Sequence, residues 1–209
     1  MPELIGITGG IGSGKSRACR YLADLGGWPL LDLDQICRAL LLPEMPGWQA
    51  LRQALGRDFF TAAGELNRPK LREAIFADAA LRQQVDGLLH PLAKQAMAAQ
   101  ATRLNAPLVL AEIPLLFEAG WQDSVSQIVV VYADEAVRLR RIMERDQVSE
   151  EQARRAIAAQ MPLEDKARLA DHLIDNSAGW ENTCVQLRQA AKLMGKQKDA
   201  CPSYSALFT

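Results

Sequence analysis

The run Gly9-Gly10-Ile11-Gly12-Ser13-Gly14-Lys15-Ser16 constrains this chain more than any other stretch. It fits the pattern of a Gly, four free positions, then Gly-Lys-Ser. Before it lies Leu4-Ile5-Gly6-Ile7-Thr8, an apolar run of strand length, and after it Ala18, Tyr21, Leu22 and Leu25 recur at helical spacing. Strand, glycine-rich loop and helix thus stand in the order that a phosphate-cradling loop requires. Glycines let backbone N–H groups turn inward around phosphate oxygens, and the helix N-terminus adds positive potential. The cradle runs from Gly10, Ile11, Gly12, Ser13 and Gly14 to Lys15, Ser16 and Arg17. In such a loop Lys15 reaches the β- and γ-phosphates and the Ser16 hydroxyl ligates Mg²⁺. A plain glycine-rich turn is the competing reading, and the flanks argue against it. A dinucleotide fingerprint is excluded, because counting from Gly10 and Gly12 the third required glycine falls on Lys15. The pattern points to a nucleoside triphosphate.

Composition sets the bounds around that loop. A chain of 209 residues suits one α/β domain with an inserted lobe. Lys plus Arg number 24 and Asp plus Glu 25, so no global field draws the protein to nucleic acid or to a membrane surface. Cys19, Cys37, Cys184 and Cys201 show no metal-ligand or redox spacing and read as reduced thiols of a cytoplasmic protein. No basic leader and no apolar run of membrane-spanning length is present in the sequence.

Apolar runs at Trp28 to Leu33, Leu108 to Ile113, Ile128 to Tyr132 and Leu173-Ile174 read as further strands of a parallel sheet. Between Ile36 and about Ala106 the strand signal gives way to helical patterns broken by Pro43, Pro46, Gly56, Gly64 and Pro69. That region reads as a helical lobe inserted after the second strand. A charge-dense helical stretch runs from Glu135 to about Leu169, a helix follows from about Ala178 to Met194, and 196–209 reads as a loose tail.

Several side chains are candidates for chemistry. Asp32 and Asp34 end the second strand at the sheet edge that faces the phosphate loop. If the strand persists that far, the period of two puts both on one side, one to accept a proton from an attacking hydroxyl and one to hold Mg²⁺ or its waters. The alternative is that Asp34 caps a helix starting near Gln35. Glu112 ends the third strand, either as a second metal-side carboxylate or as a contact to a substrate group beside the metal. Glu118 can serve the same site or be a solvated loop residue. His90 precedes Pro91, which is expected to kink a helical segment there. Arg138, Arg140, Arg141, Arg145, Arg154, Arg155, Lys166 and Arg168 make one segment basic, and Arg141 and Arg145 share a helix face. Most of these are expected to be solvated ion-pair partners, with one or two acting as lid cations over a transferring phosphoryl group. Trp48, Trp121 and Trp180 read as packing anchors.

Taken in order, these segments resemble dephospho-CoA kinase. The matching elements are Thr8 to Ser16, Asp32-x-Asp34, Leu89-His90-Pro91-Leu92, Pro114-Leu115-Leu116-Phe117-Glu118, Arg141-x-x-x-Arg145-Asp146, Gln160 with Lys166, and Ala170-Asp171 leading to Ile174-Asp175-Asn176. The resemblance implies a P-loop fold with a five-stranded parallel sheet. Its core would comprise 1–35, 107–139 and 169–195, with a helical acceptor lobe over 36–106 and a lid over 140–168. It implies ATP and Mg²⁺ as cofactors and phosphorylation of the ribose 3′-hydroxyl of dephospho-CoA. Asp34 would be the general base, and Arg141 or Arg145 would stabilise transferring charge. Asp32 with Ser16 would attend the metal. His90, Glu112, Glu118 and Arg68 would lie in or near the acceptor site, and Asn176 and its neighbours would flank adenine. A monomer or weak homo-oligomer is expected. Three departures stand out: Arg17 replaces the small hydroxyl residue common after the loop serine, Glu112 stands where Asp is frequent, and Gly26-Gly27-Trp28 makes the approach to the second strand one residue longer than usual. The Arg17 backbone N–H is still expected to serve the α-phosphate.

Two other readings compete. A kinase for nucleoside monophosphates or another metabolic hydroxyl would use the same loop, and acceptor profiling separates it. A regulatory nucleotide switch would bind partners without acceptor phosphorylation, but a guanine-reading Asn-Lys-x-Asp is absent and Asp34 would be superfluous in it.

Overall fold

In a computed structural model, which describes residues 2–196, five parallel strands form one sheet in the order β2-β3-β1-β4-β5. The strands are β1 (Glu3–Gly9), β2 (Leu30–Asp32), β3 (Leu108–Glu112), β4 (Gln127–Tyr132) and β5 (His172–Asp175). Each is short and apolar because helices bury both faces, as parallel sheets require. Along each strand alternate residues divide between the two faces. Ile5, Ile7, Leu108, Leu110, Val129 and Val131 meet α1 (Lys15–Gly26) and α9 (Trp180–Lys196). Leu4, Val109, Ala111, Ile128 and Val130 pack in the opposite core with α2 (Leu33–Leu40), α5 (Ala79–Arg103) and α8 (Leu163–Arg168). The fold is the three-layer P-loop architecture.

Two local expectations are corrected. The second strand covers only Leu30–Asp32, and α2 begins at Leu33. Asp32 is the N-cap: its Oδ1 accepts from the Gln35 N–H at 3.2 Å and its Oδ2 from Gln35 Nε2 at 3.1 Å. Asp34 therefore lies in the first helical turn, and the two carboxylates do not share one side of a strand. Helix is likewise not lost at His90, the residue before Pro91: α5 runs through both for 25 residues. Gly87, four residues before Pro91, lies with it on the exposed face, so the carbonyl that Pro91 leaves unbonded can be served by water. Val85, Ala93, Met97 and Ala101 are buried on either side of Pro91 and hold the helix in place.

The helical region adds α3 (Pro46–Leu55) and α4 (Arg68–Ala77), with Leu51, Leu71 and Val85 as a small core of their own. The second half of α5 leaves that lobe and packs on the sheet through Met97 and Ala101. After β4 come α6 (Glu135–Asp146) and α7 (Glu150–Ala158), joined through Leu139, Ile142 and Ala153, and Ile11 of the phosphate loop packs against them. The boundary drawn at 139 thus falls inside α6. The tail expected over 196–209, with Cys201, lies outside the described residues except for Lys196.

Candidate active site

The phosphate loop forms where β1 meets α1. Gly12 and Gly14 hold φ of 78° and 87°, left-handed values that bring the loop back over the helix start. At both positions side chains are also refused sterically: a Cβ on Gly12 would come 2.8 Å from the Arg138 carbonyl oxygen, and one on Gly14 would run into Asn176 Nδ2. The loop is braced from three directions. Ile11 N–H donates to Gln160 Oε1 at 2.8 Å, Ser13 N–H donates to Gly10 O at 3.1 Å, and Asn176 Nδ2 donates to Ser13 O at 2.7 Å.

Above the loop is an open cavity of about 670 Å³. Gly9, Gly10, Ile11, Gly12 and Gly14 line its floor, and Lys15, Arg17, Arg20, Arg141 and Arg145 line it with charge against Asp34 as the single carboxylate among the described residues. A chain of net charge −1 thereby gathers five cations at one place. Such a field is a receptacle for a polyanion. Burial pushes the Arg141 guanidinium below its ordinary value, helped by the neighbouring charges of Arg140 and Arg17. Its Nη2 donates to Asn176 O at 3.0 Å, which fixes it over the loop. Arg145 is held differently, by a two-pronged bond to Asp146 at 2.7 Å on each side, and that pairing raises it.

Of the expected site residues, Gly10, Ile11, Gly12, Gly14, Lys15, Ser16, Arg17, Asp34, Arg141 and Arg145 all border this cavity. Ser13 is buried just beneath it. Glu112 stands at the end of β3 with Oε1 paired to Lys15 Nζ and accepting from Ser16 Oγ at 2.7 Å, so it shares the two groups expected on phosphate and metal. Asp34 has no side-chain hydrogen bond among the described residues and faces the cavity free.

Other residues lie elsewhere. Asp32 is engaged in the α2 cap through both carboxylate oxygens and does not border this cavity, whereas the oxygens of Ser16 and Glu112 meet beside Lys15. Glu118 does not face the cavity: its Oε1 pairs with the fully buried Lys166 Nζ at 2.6 Å and accepts from the Met161 N–H at 3.1 Å. Asn176 is 5% exposed, with its amide shared between Ser13 O and the Thr183 hydroxyl at 3.0 Å, so its side chain supports the loop. His90 sits mid-helix on α5, 3.8 Å from Asp86 and edge-on to Trp121. Arg68 opens α4, donates to Arg38 O at 3.1 Å and borders a second cavity on the lobe. The Arg17 N–H is directed at Gly14 O at 3.1 Å, within the helix turn.

Arg140, Arg154, Arg155 and Arg168 are exposed ion-pair partners as expected. Arg138 is not: it is 4% exposed and packs beside Gly10 and Gly12. Arg20 was missed, although its position four residues after Ser16 puts it on the same helix face. Its Nε donates to Ser16 O at 3.1 Å. Nothing local marks Arg138, since its burial comes from the loop folding over it.

The family model for dephospho-CoA kinase matches residues 3–182. The chain belongs to the dephospho-CoA kinase family. It is 38% identical over 190 residues to the dephospho-CoA kinase of Geobacillus kaustophilus, covering 90% of this chain and 94% of that one. Its identity to the dephospho-CoA kinase of Shouchella clausii is 40% over 189 residues, covering 89% and 95%. A solved structure from Thermus thermophilus superposes with a TM-score of 0.77 at 32% identity, over 96% of this chain and 99% of that one. The phosphate loop, Asp34 and the two cavity-lining arginines of α6 all fall within the span that matches the dephospho-CoA kinase family.

Proposed function

We propose that this kinase transfers the γ-phosphoryl group of Mg-ATP to the ribose 3′-hydroxyl of dephospho-CoA, with Asp34 as the general base. The observation that carries the assignment is the placement of Asp34, unbonded, on the wall of the same cavity as Lys15 and Ser16. The Asp34 carboxylate takes the hydroxyl proton as the oxygen attacks the γ-phosphorus, and the bond to the β–γ bridging oxygen breaks to release ADP. Lys15 moves from Glu112 onto the β- and γ-oxygens. Ser16 and Glu112 are the groups that would hold Mg²⁺, directly or through its waters; the ion supplies charge neutralisation between the β- and γ-phosphates. Arg141 and Arg145 face the same space and stabilise charge on the transferring group.

Arg68 and His90, on the helical lobe, are proposed as acceptor-side contacts outside the phosphate cavity, with Glu118 near the same acceptor site. The loop after Asn176 is proposed to flank the adenine. No helix among the described residues is long and apolar enough to cross a membrane, and a cytosolic monomer or weak homo-oligomer is proposed.

The deciding experiment is ADP release from Mg-ATP with and without dephospho-CoA, with mass detection of the product. Acceptor-dependent ADP and a product heavier by one phosphoryl group, identical to CoA, support the proposal; nucleotide binding without acceptor-dependent turnover defeats it. Asp34→Asn is expected to lower kcat by roughly 10²–10⁴-fold with ATP affinity retained. Lys15→Ala is expected to damage both affinity and turnover.

A further inference from the structure

The first turn of α1 carries Lys15, Ser16 and Arg17 and no acidic residue. The helix macrodipole opposes cations at that end, so two of them there are stable company only for a bound anion or a shielding partner. Lys15 has Glu112. Arg17 has a different partner: its guanidinium carbon lies 3.8 Å from the centroid of the Trp180 ring. Trp180 is itself held, edge-on to Tyr21 at 5.7 Å, and the Tyr21 hydroxyl accepts from Arg188 Nη1 at 2.8 Å. The inner part of Trp180 packs on the core of α1 and α9. An exposed, flexible arginine is thereby fixed over a built aromatic support at the edge of the phosphate cavity that Arg17 also lines.

The strand order says which end of a nucleotide arrives there. Asp34 follows β2 and Glu112 ends β3, on one side of β1, whereas Asn176 and Trp180 follow β5, on the other. The reacting γ-phosphate belongs on the Asp34 side, so the nucleoside end extends toward β5 and Trp180. We infer that Arg17, pinned over Trp180, is a specificity-determining residue that forms the floor on which the purine base of the nucleotide stacks. A planar guanidinium held on one side by an indole offers its remaining surface to another π-system, and a purine presents the larger one. This inference rests on the ATP reading of the site.

The test is titration calorimetry of Mg-ATP, Mg-UTP and tripolyphosphate against the wild-type protein, Arg17→Ala, Arg17→Lys and Trp180→Leu. Arg17→Ala is expected to weaken ATP about tenfold, to weaken tripolyphosphate by less than about twofold, and to shrink the preference for ATP over UTP. Arg17→Lys keeps the charge without the plane and is expected to resemble Arg17→Ala toward ATP. Trp180→Leu is expected to lose nearly as much, with no further loss in the double variant, because the floor needs its support. An equal loss for ATP and tripolyphosphate, or rescue by lysine, would make Arg17 a phosphate cation and overturn the base contact. Unchanged ATP affinity in Arg17→Ala would reduce the pair to a surface stack. A wild-type protein that bound tripolyphosphate and no nucleoside triphosphate would overturn the ATP reading itself.

Discussion

Asn176 shows how a residue can matter to a site without touching its ligand. Its amide donates to the Ser13 carbonyl and accepts from Thr183, while its backbone oxygen takes Arg141 Nη2. Removing the side chain leaves a buried carbonyl with only a long 3.4 Å contact to Arg141 Nη1. Asn176→Ala is therefore expected to cost about 1–3 kcal/mol in urea denaturation and also to raise KM for ATP, because the loop loses its brace. Asp34→Asn should differ in kind, lowering kcat without a stability change. Cys19 gives a second residue-scale expectation. Burial pushes its thiol up, and Glu112 nearby adds to the shift. A folded value above the unfolded one of about 8.5 means that the stabilisation is fully present below that pH and is lost as pH rises through the folded value. In native protein at pH 8, iodoacetamide should label the half-buried Cys37 before the buried Cys19 or Cys184.

The segment that follows α7 belongs to the core rather than to a free lid. Gln160 holds the Ile11 N–H, Met161 donates to Glu118, Lys166 pairs with Glu118, and Leu163 is 1% exposed in the core beneath the sheet. α7 itself is set off by Gln147 at φ 53° and pinned against α6 by the buried Ala153. Its exposed pairs, Arg154 with Glu135 and Glu150 and Arg155 with Glu151, add little in water, where solvent screens them. The Lys166–Glu118 pair is another matter, because Lys166 is fully buried and Nζ has no further hydrogen-bond partner among the described residues. Glu118→Gln should destabilise by about 3 kcal/mol, and adding Lys166→Met should recover most of that, since the unpaired charge is what costs. Chemical denaturation of both variants checks the sign of the second step.

Across the whole molecule, charge balance conceals a concentrated field. Five cations round one cavity repel one another until an anion arrives, so ligand should stabilise the fold strongly. At a concentration 100 times Kd, Mg-ATP is expected to add ~2.7 kcal/mol, seen as a melting temperature that rises with ligand and does not rise in Lys15→Ala. The sequence alone determined the local machinery: strand, phosphate loop and helix are contiguous, and buried parallel strands are short apolar runs that need no tertiary information to be read. The family motifs named the chemistry for the same reason, because each is a short run whose residue types are fixed by what they hold. Tertiary structure decided what depends on distant partners. Strand order puts the carboxylates on one side of the loop and Asn176 and Trp180 on the other, and strand pairing is a long-range choice. Whether Asp32 or Asp34 capped α2 turned on where β2 ended, and β2 pairs with β3 across some 75 residues of chain. Glu118 and Asn176 were legible as motif members but not as braces, because burial against Lys166 and Ser13 exists only once separate segments pack.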